Sequence, residues 1–156
     1  MTPFPSQYSK RGRRSSMSSM YAPAPMQLDG YRHAGGVPIK FRIKNSSRSG
    51  VSVHEIMSNM RLSGSHDYTF RDMKVDHRGR LMLKIRWNGY RSLMYEIPVS
   101  GHDGGYVNIQ SFSRRVARAV VHFLAANAIQ IPWDRVLIHR LEETAFGTWQ
   151  PVLSTI

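Results

Sequence analysis

RLMLKIRWNGYRSLMYEIPV, residues 80–99, decides the fold of this chain. Residues 80–87 alternate, with Leu81, Leu83, Ile85 and Trp87 on one side and charged residues or Met82 on the other. That is the period of a half-buried strand. Asn88-Gly89 is a strong hairpin signal, and Leu93, Tyr95, Ile97 and Val99 line one side of the return strand. A two-residue Asn-Gly loop would pair residue 87 with residue 90. Odd apolar positions would then oppose even ones, and the two apolar faces would part. Because a one-residue slip reverses every side chain, the pattern predicts an odd-length loop or a β-bulge, with Ile85 and Leu93 on the same face.

Toward the N-terminus, residues 37–44 (VPIKFRIK) also alternate. They predict a strand with Val37, Ile39, Phe41 and Ile43 inward and a basic outer face of Lys40, Arg42 and Lys44. Pro38 sits near the start, where a missing N–H is tolerated. Residues 52–62 predict a helix: Ser52 and Glu55 form a capping pattern, Val53, Ile56, Met57 and Met60 share a face, and Gly64 is a stop. Tyr68 to Phe70 reads as a short strand.

Toward the C-terminus, residues 102–105 read as loop. Ser111 or Ser113 opens the longest helix, which runs to about Ile129 with Val116, Val120, Phe123, Leu124 and Ala128 on its buried face. Pro132 ends that region. Residues 135–141 predict another strand, and a turn at Gly147 leads to a last one over 148–156, which Pro151 assigns to a sheet edge. No internal repeat is present. The element order predicts an α+β fold: a single domain over residues 36–156, with helices packed on a largely antiparallel sheet.

Before it, residues 1–35 lack any hydrophobic period and alternate Pro with Ser and Gly, which reads as a disordered arm. The arm is basic. The first 50 residues carry nine Lys or Arg against Asp29 alone, +8 of the chain's formal net +12. Charge so concentrated is drawn to polyanions, whether nucleic-acid phosphates or anionic lipid headgroups; a solvating tail is the plainer use.

Composition narrows the classes further. At 41% hydrophobic, roughly 120 residues can bury a core. No apolar run approaches the ~20 residues that cross a bilayer, and no secretory signal is visible, so a cytosol-facing protein is expected. With no cysteine, disulfides, palmitoylation and Cys–zinc sites are excluded. Thr2 excludes N-myristoylation. Membrane attachment is therefore expected to be peripheral.

Catalytic patterns are missing. The seven histidines form no H-x-x-x-H pair, there is no G-x-S-x-G, and neither Gly35-Gly36 nor Gly104-Gly105 suits a phosphate loop. Ser65-His66-Asp67 holds triad residue types, but as neighbours in a polar loop. No enzyme, metal or cofactor is expected. One cluster argues for binding instead. Arg114, Arg115 and Arg118 crowd the first turns of the long helix, with 114, 118 and His122 in one stripe. Exposed cations there oppose the helix dipole by ~0.3–1 kcal/mol each. The stripe is either an ordinary solvated face or a contact for phosphate, which Lys40, Arg42, Lys44, Lys84 and Arg86 extend. Aromatics are not interleaved with these charges, which disfavours base-specific RNA reading.

The order of features resembles the matrix proteins of rhabdoviruses. Lys10, Arg11, Arg13 and Arg14 resemble the family's basic arm, and Tyr21-Ala22-Pro23-Ala24-Pro25 sits where its Pro-rich budding motif lies. Val37 to Lys44, leading through Arg48 to the Ser52 helix, is similar to the first strand and helix. Arg78-Gly79-Arg80-Leu81-Met82-Leu83-Lys84-Ile85 looks like the family's charged strand entry, Phe112 to Ile129 like the late helix, and Glu142 to Trp149 like the acidic, Gly-x-Trp ending of vesiculovirus members. The chain is short for the family, and Tyr21 to Pro25 is neither P-P-x-Y nor P-[ST]-A-P.

The resemblance implies a structural protein that binds itself, the viral nucleocapsid and anionic membrane lipids, with RNA and host budding or nuclear factors as further partners. It would work in the virion beneath the envelope, and in the host cytoplasm, at the inner membrane face or in the nucleus. By the same analogy Met17, Met20, Tyr21 and Met26 would dock on a neighbouring protomer. The competing reading is an RNA-binding capsid-like or silencing-suppressor protein of a small virus, with the same arm neutralising RNA.

Overall fold

Parity governs the centre of the structure, a computed structural model that describes residues 36–156, with the side chains of residues 102 and 103 set aside. The arm predicted over residues 1–35 lies outside the described residues. Strands β3 (Arg80–Ile85) and β4 (Leu93–Pro98) pair antiparallel, with Ile85 opposite Leu93 and Arg80 opposite Pro98. The connection, residues 86–92, is seven residues long, so the two apolar faces coincide. Asn88-Gly89 lies inside this longer loop, where Gly89 has φ 90° and Tyr90 N–H donates to the Trp87 carbonyl at 3.0 Å. Leu81, Leu83, Ile85 and Ile97 are buried, whereas Met94 and Glu96 on the other face are exposed. One covered face and one wet face is the usual condition of an antiparallel sheet.

Strand β8 (Thr148–Thr155) lies parallel beside β3 through Met82–Thr148 and Leu83–Trp149. Strand β7 (Val136–Ala145) runs antiparallel to β8 and carries both β1 (Ile39–Lys40) and β2 (Val51–Ser52) on its far side. The order is β1-β7-β8-β3-β4, with β2 also on β7. The last strand is thus central, where Pro151 predicted an edge. The reason is local: the β3 ladder reaches only Thr148 and Trp149, so a nitrogen without hydrogen at 151 breaks no bond on that side. A separate ribbon, β5 (Gly101–His102) with β6 (Tyr106–Val107), flanks the segment read as loop, of which residues 103–105 form the turn and His102 joins the strand.

Other predicted elements are shorter than their patterns. Only Ile39 and Lys40 of the 37–44 strand join the sheet; Val37 is 69% exposed. The backbone N–H of Lys40 donates to the Tyr68 hydroxyl at 2.9 Å, and Ile43 bridges Leu62 instead of β7. Helix α1 spans Val53–Met57 rather than 52–62. Its start is as predicted: Glu55 N–H donates to Ser52 Oγ at 3.0 Å and Ser52 N–H to Glu55 Oε1 at 2.9 Å. Its end comes early because Asn59 takes a left-handed φ of 65°, which Asn tolerates better than most residues. Val53 and Ile56 are buried, but Met60 is exposed. Tyr68 to Phe70 forms no strand, only a bridge from Thr69 to Tyr106.

Helix α2 (Ile109–Ala126) packs on the sheet and on α1. Its cap is Asn108, whose Oδ1 accepts from Ser111 N–H at 3.1 Å, so neither Ser111 nor Ser113 opens it. Ser113 is buried inside the first turns, donating back to the Gln110 carbonyl at 2.9 Å. Phe112, Val116, Val120, Phe123 and Leu124 make the buried stripe; Ala128 lies past the end, exposed, with φ 55°. Phe112 meets Phe41 edge-on at 6.3 Å. Trp149 is fully buried and donates Nε1–H to the Met73 carbonyl at 3.0 Å, so its polar edge is satisfied where it enters the core.

Two groups give stability tests. Glu55 is held below the ordinary carboxylate range by its hydrogen bond to Arg48, at 2.5 Å, and also completes the α1 cap. Glu55→Ala is expected to cost about 1 kcal/mol in denaturant unfolding, and Glu55→Gln, which keeps the cap bond, distinctly less. His139 packs against Gly50 and hydrogen-bonds Ser154 Oγ at 2.7 Å; burial, then neighbouring Arg140, lower its pKa. The unfolded chain therefore binds this proton more readily. Its contribution is complete above the ordinary imidazole pKa and is lost as pH falls through that value. His139→Gln should flatten the stability–pH slope between about pH 5 and 7 relative to the native chain.

Candidate functional site

The bridge between Ile43 and Leu62 sets Lys44 directly opposite Arg61: Lys44 N–H donates to the Arg61 carbonyl at 2.8 Å. Like charges facing each other across a strand pair destabilise it. The backbone around Arg61 is also fixed from the helix side, while its side chain is exposed. Gln110, in the first turn of α2, accepts from Leu62 N–H at 3.0 Å and donates to the Met60 carbonyl at 2.8 Å, gripping the backbone on both sides of residue 61. One turn on, Arg114 donates to the Asn59 side-chain oxygen.

These contacts border a half-open pocket of about 530 Å³ whose walls include Lys44, Arg61 and Arg114, with Asn59, Ser65 and Gln110 between them and Leu62 and Ile109 behind. No acid lines it. Among the described residues, ion pairs occupy other cations: Arg48 with Glu55, Lys74 with Glu143, Arg78 and Arg80 with Glu96, and Arg140 with Glu142. Lys40 and Arg42 continue the basic surface from Lys44 along the same segment and are exposed. A second cavity, of about 510 Å³ beside Phe146, mixes Asp76 with its cations and has Lys74 already bound to Glu143 at 3.1 Å. The first is the better anion site: three positive side chains at one end of a helix whose dipole has the same sign.

The sequence-derived candidates separate here. Lys44 and Arg114 come together in the cavity. Arg115 does not join them: its guanidinium donates to the Pro98 carbonyl at 2.9 Å and Ser100 Oγ at 3.1 Å, tying α2 to the end of β4. Arg118 is exposed farther along α2, and His122 is hydrogen-bonded to Tyr95 at 2.8 Å. Lys10, Arg11, Arg13, Arg14 and Tyr21 to Pro25 lie outside the described residues, as do Met17, Met20 and Met26. Arg61 was missed because the helix pattern ran through it; Ser58-Asn59 was the signal that the helix stops first. Among the described residues no group of His, Asp and Glu is arranged to hold a metal ion, and no helix is long and apolar enough to cross a membrane.

A family model described as a domain of unknown function (DUF6741) matches residues 26–155, so the chain belongs to that family. No curated protein and no solved structure matches it.

The repulsion between Lys44 and Arg61 has a measurable sign. Lys44→Gln is expected to raise unfolding stability by ~0.2–1 kcal/mol, the range for cross-strand pairs. The gain should shrink at 1 M salt, where the screening length falls to ~3 Å.

Proposed function

We propose that this member of the DUF6741 family is a non-catalytic matrix protein, which associates with itself, condenses a nucleocapsid and links it to the inner face of a membrane to drive budding. The observation that carries this reading is the gathering of Lys44, Arg61 and Arg114 around one pocket with no acid among its described lining residues, continued by the exposed Lys40 and Arg42. The matrix-like order of elements in the sequence and the basic residues Lys10, Arg11, Arg13 and Arg14 support the same reading. Each basic side chain near an anionic bilayer contributes ~1 kcal/mol, so the arm and this surface together suffice for peripheral attachment. Among the described residues no aromatic side chain is part of the cavity wall, which favours a lipid surface over stacked bases.

Co-sedimentation of the full chain with phosphatidylserine liposomes tests the reading. Pelleting is expected to be salt-sensitive, to survive competitor RNA, and to weaken in two variants, one with Lys10, Arg11, Arg13 and Arg14 all changed to Ser and one with Lys44→Gln and Arg61→Gln. Pelleting that RNA abolishes would replace this reading with an RNA-packaging one, whose signature is a steep salt slope.

A further inference from the structure

General attraction to an anionic surface asks only that cations be exposed. The α2 cavity does more: it gathers Arg114, held by Asn59, and the exposed Lys44 and Arg61 around one half-open pocket. Arg61 and Arg114 present forked donors suited to paired oxygens, and Lys44 a point charge. A phosphodiester brings one negative charge, whereas a phosphomonoester near neutral pH brings about −1.5 to −2 and three acceptor oxygens. Three cations without an acid match the second. The volume, about 530 Å³, lies in the ~300–1,000 Å³ range of small-molecule sites, leaving room for a polar ring beside the phosphate. Asn59, Ser65 and Gln110 add neutral polar groups to the wall.

We infer that this cavity is a receptor for a phosphomonoester carried on a small polyol, the headgroup chemistry of phosphorylated inositol lipids. The inference rests on the membrane-binding reading and sharpens it: the arm attracts any anionic surface, and the cavity selects the headgroup.

The test uses the full chain and vesicles of equal net surface charge, one set bearing phosphatidylserine alone, the other phosphatidylinositol 4-phosphate. Soluble inositol 1,4-bisphosphate serves as competitor and as a separate ligand in calorimetry. The phosphorylated set should bind roughly thirtyfold tighter, in keeping with two extra charge contacts at ~1 kcal/mol each, and the competitor should erase that preference. Arg61→Gln with Arg114→Gln should reduce binding to the phosphatidylserine level. Gln110→Ala, which releases the grip on residues 60 and 62 without removing charge, should lose the preference while keeping phosphatidylserine binding; a native-like unfolding transition in each variant shows that it folds. Calorimetric binding of the soluble ester without a vesicle preference would assign the cavity to a free phosphate ester. Equal binding to both vesicles with no calorimetric signal would overturn the inference and leave the membrane reading intact. Failure to bind either vesicle would overturn that reading too.

Discussion

Everything in this domain depends on the parity of one connection. Seven residues between Ile85 and Leu93 put the apolar positions of β3 and β4 on one face. With six or eight, Leu81, Leu83 and Ile85 would point away from Ile97, and no surface would exist for α2 to cover. Because α2 lies where it does, its first turn meets the segment after α1, and Gln110 can take hold of the backbone around Arg61. The basic cavity is therefore a second-order product of sheet register.

The cavity also sets stability against use. Lys44 and Arg61 carry like charge at opposed positions beside the Ile43–Leu62 bridge, near the positive end of the α2 dipole. The surrounding structure fixes the backbone between them and one of the three cations: Gln110 grips residues 60 and 62, Arg114 donates to Asn59, and Leu62 and Ile109 back the pocket. Arg115 shows the alternative. It stands beside Arg114 in sequence but spends its donors on the Pro98 carbonyl and Ser100, and so serves cohesion instead.

Period and parity were legible in the sequence, because they are properties of single elements. The β3–β4 alternation, the odd-length connection, the buried stripe of α2, the Ser52–Glu55 cap and the α+β class all follow from local rules. Positions set by distant partners were not legible. Pro151 reads as an edge residue until it is known that β3 stops at Trp149. The 37–44 strand is cut short by Tyr68, 28 residues from Lys40, which takes its N–H. Half of the site was visible as Lys44 and Arg114; Arg61 was not, because a strong apolar stripe suggested helix past the point where Asn59 ends it.

The central place of β8 bears on how the chain reaches this state. β1 meets β7 across a separation of 102 residues, and β3 meets β8 across 66. The strands that knit the sheet together follow all their partners in the chain, so the N-terminal half cannot close its own sheet. Such non-local pairing makes for slow, late-committing folding, since the entropy of long loops is lost before contacts return it. During synthesis, β1 and β2 wait for β7 and β3 waits for β8, so the residues that line the basic cavity, all made earlier, come to rest on a sheet that is completed only by the last strands to emerge.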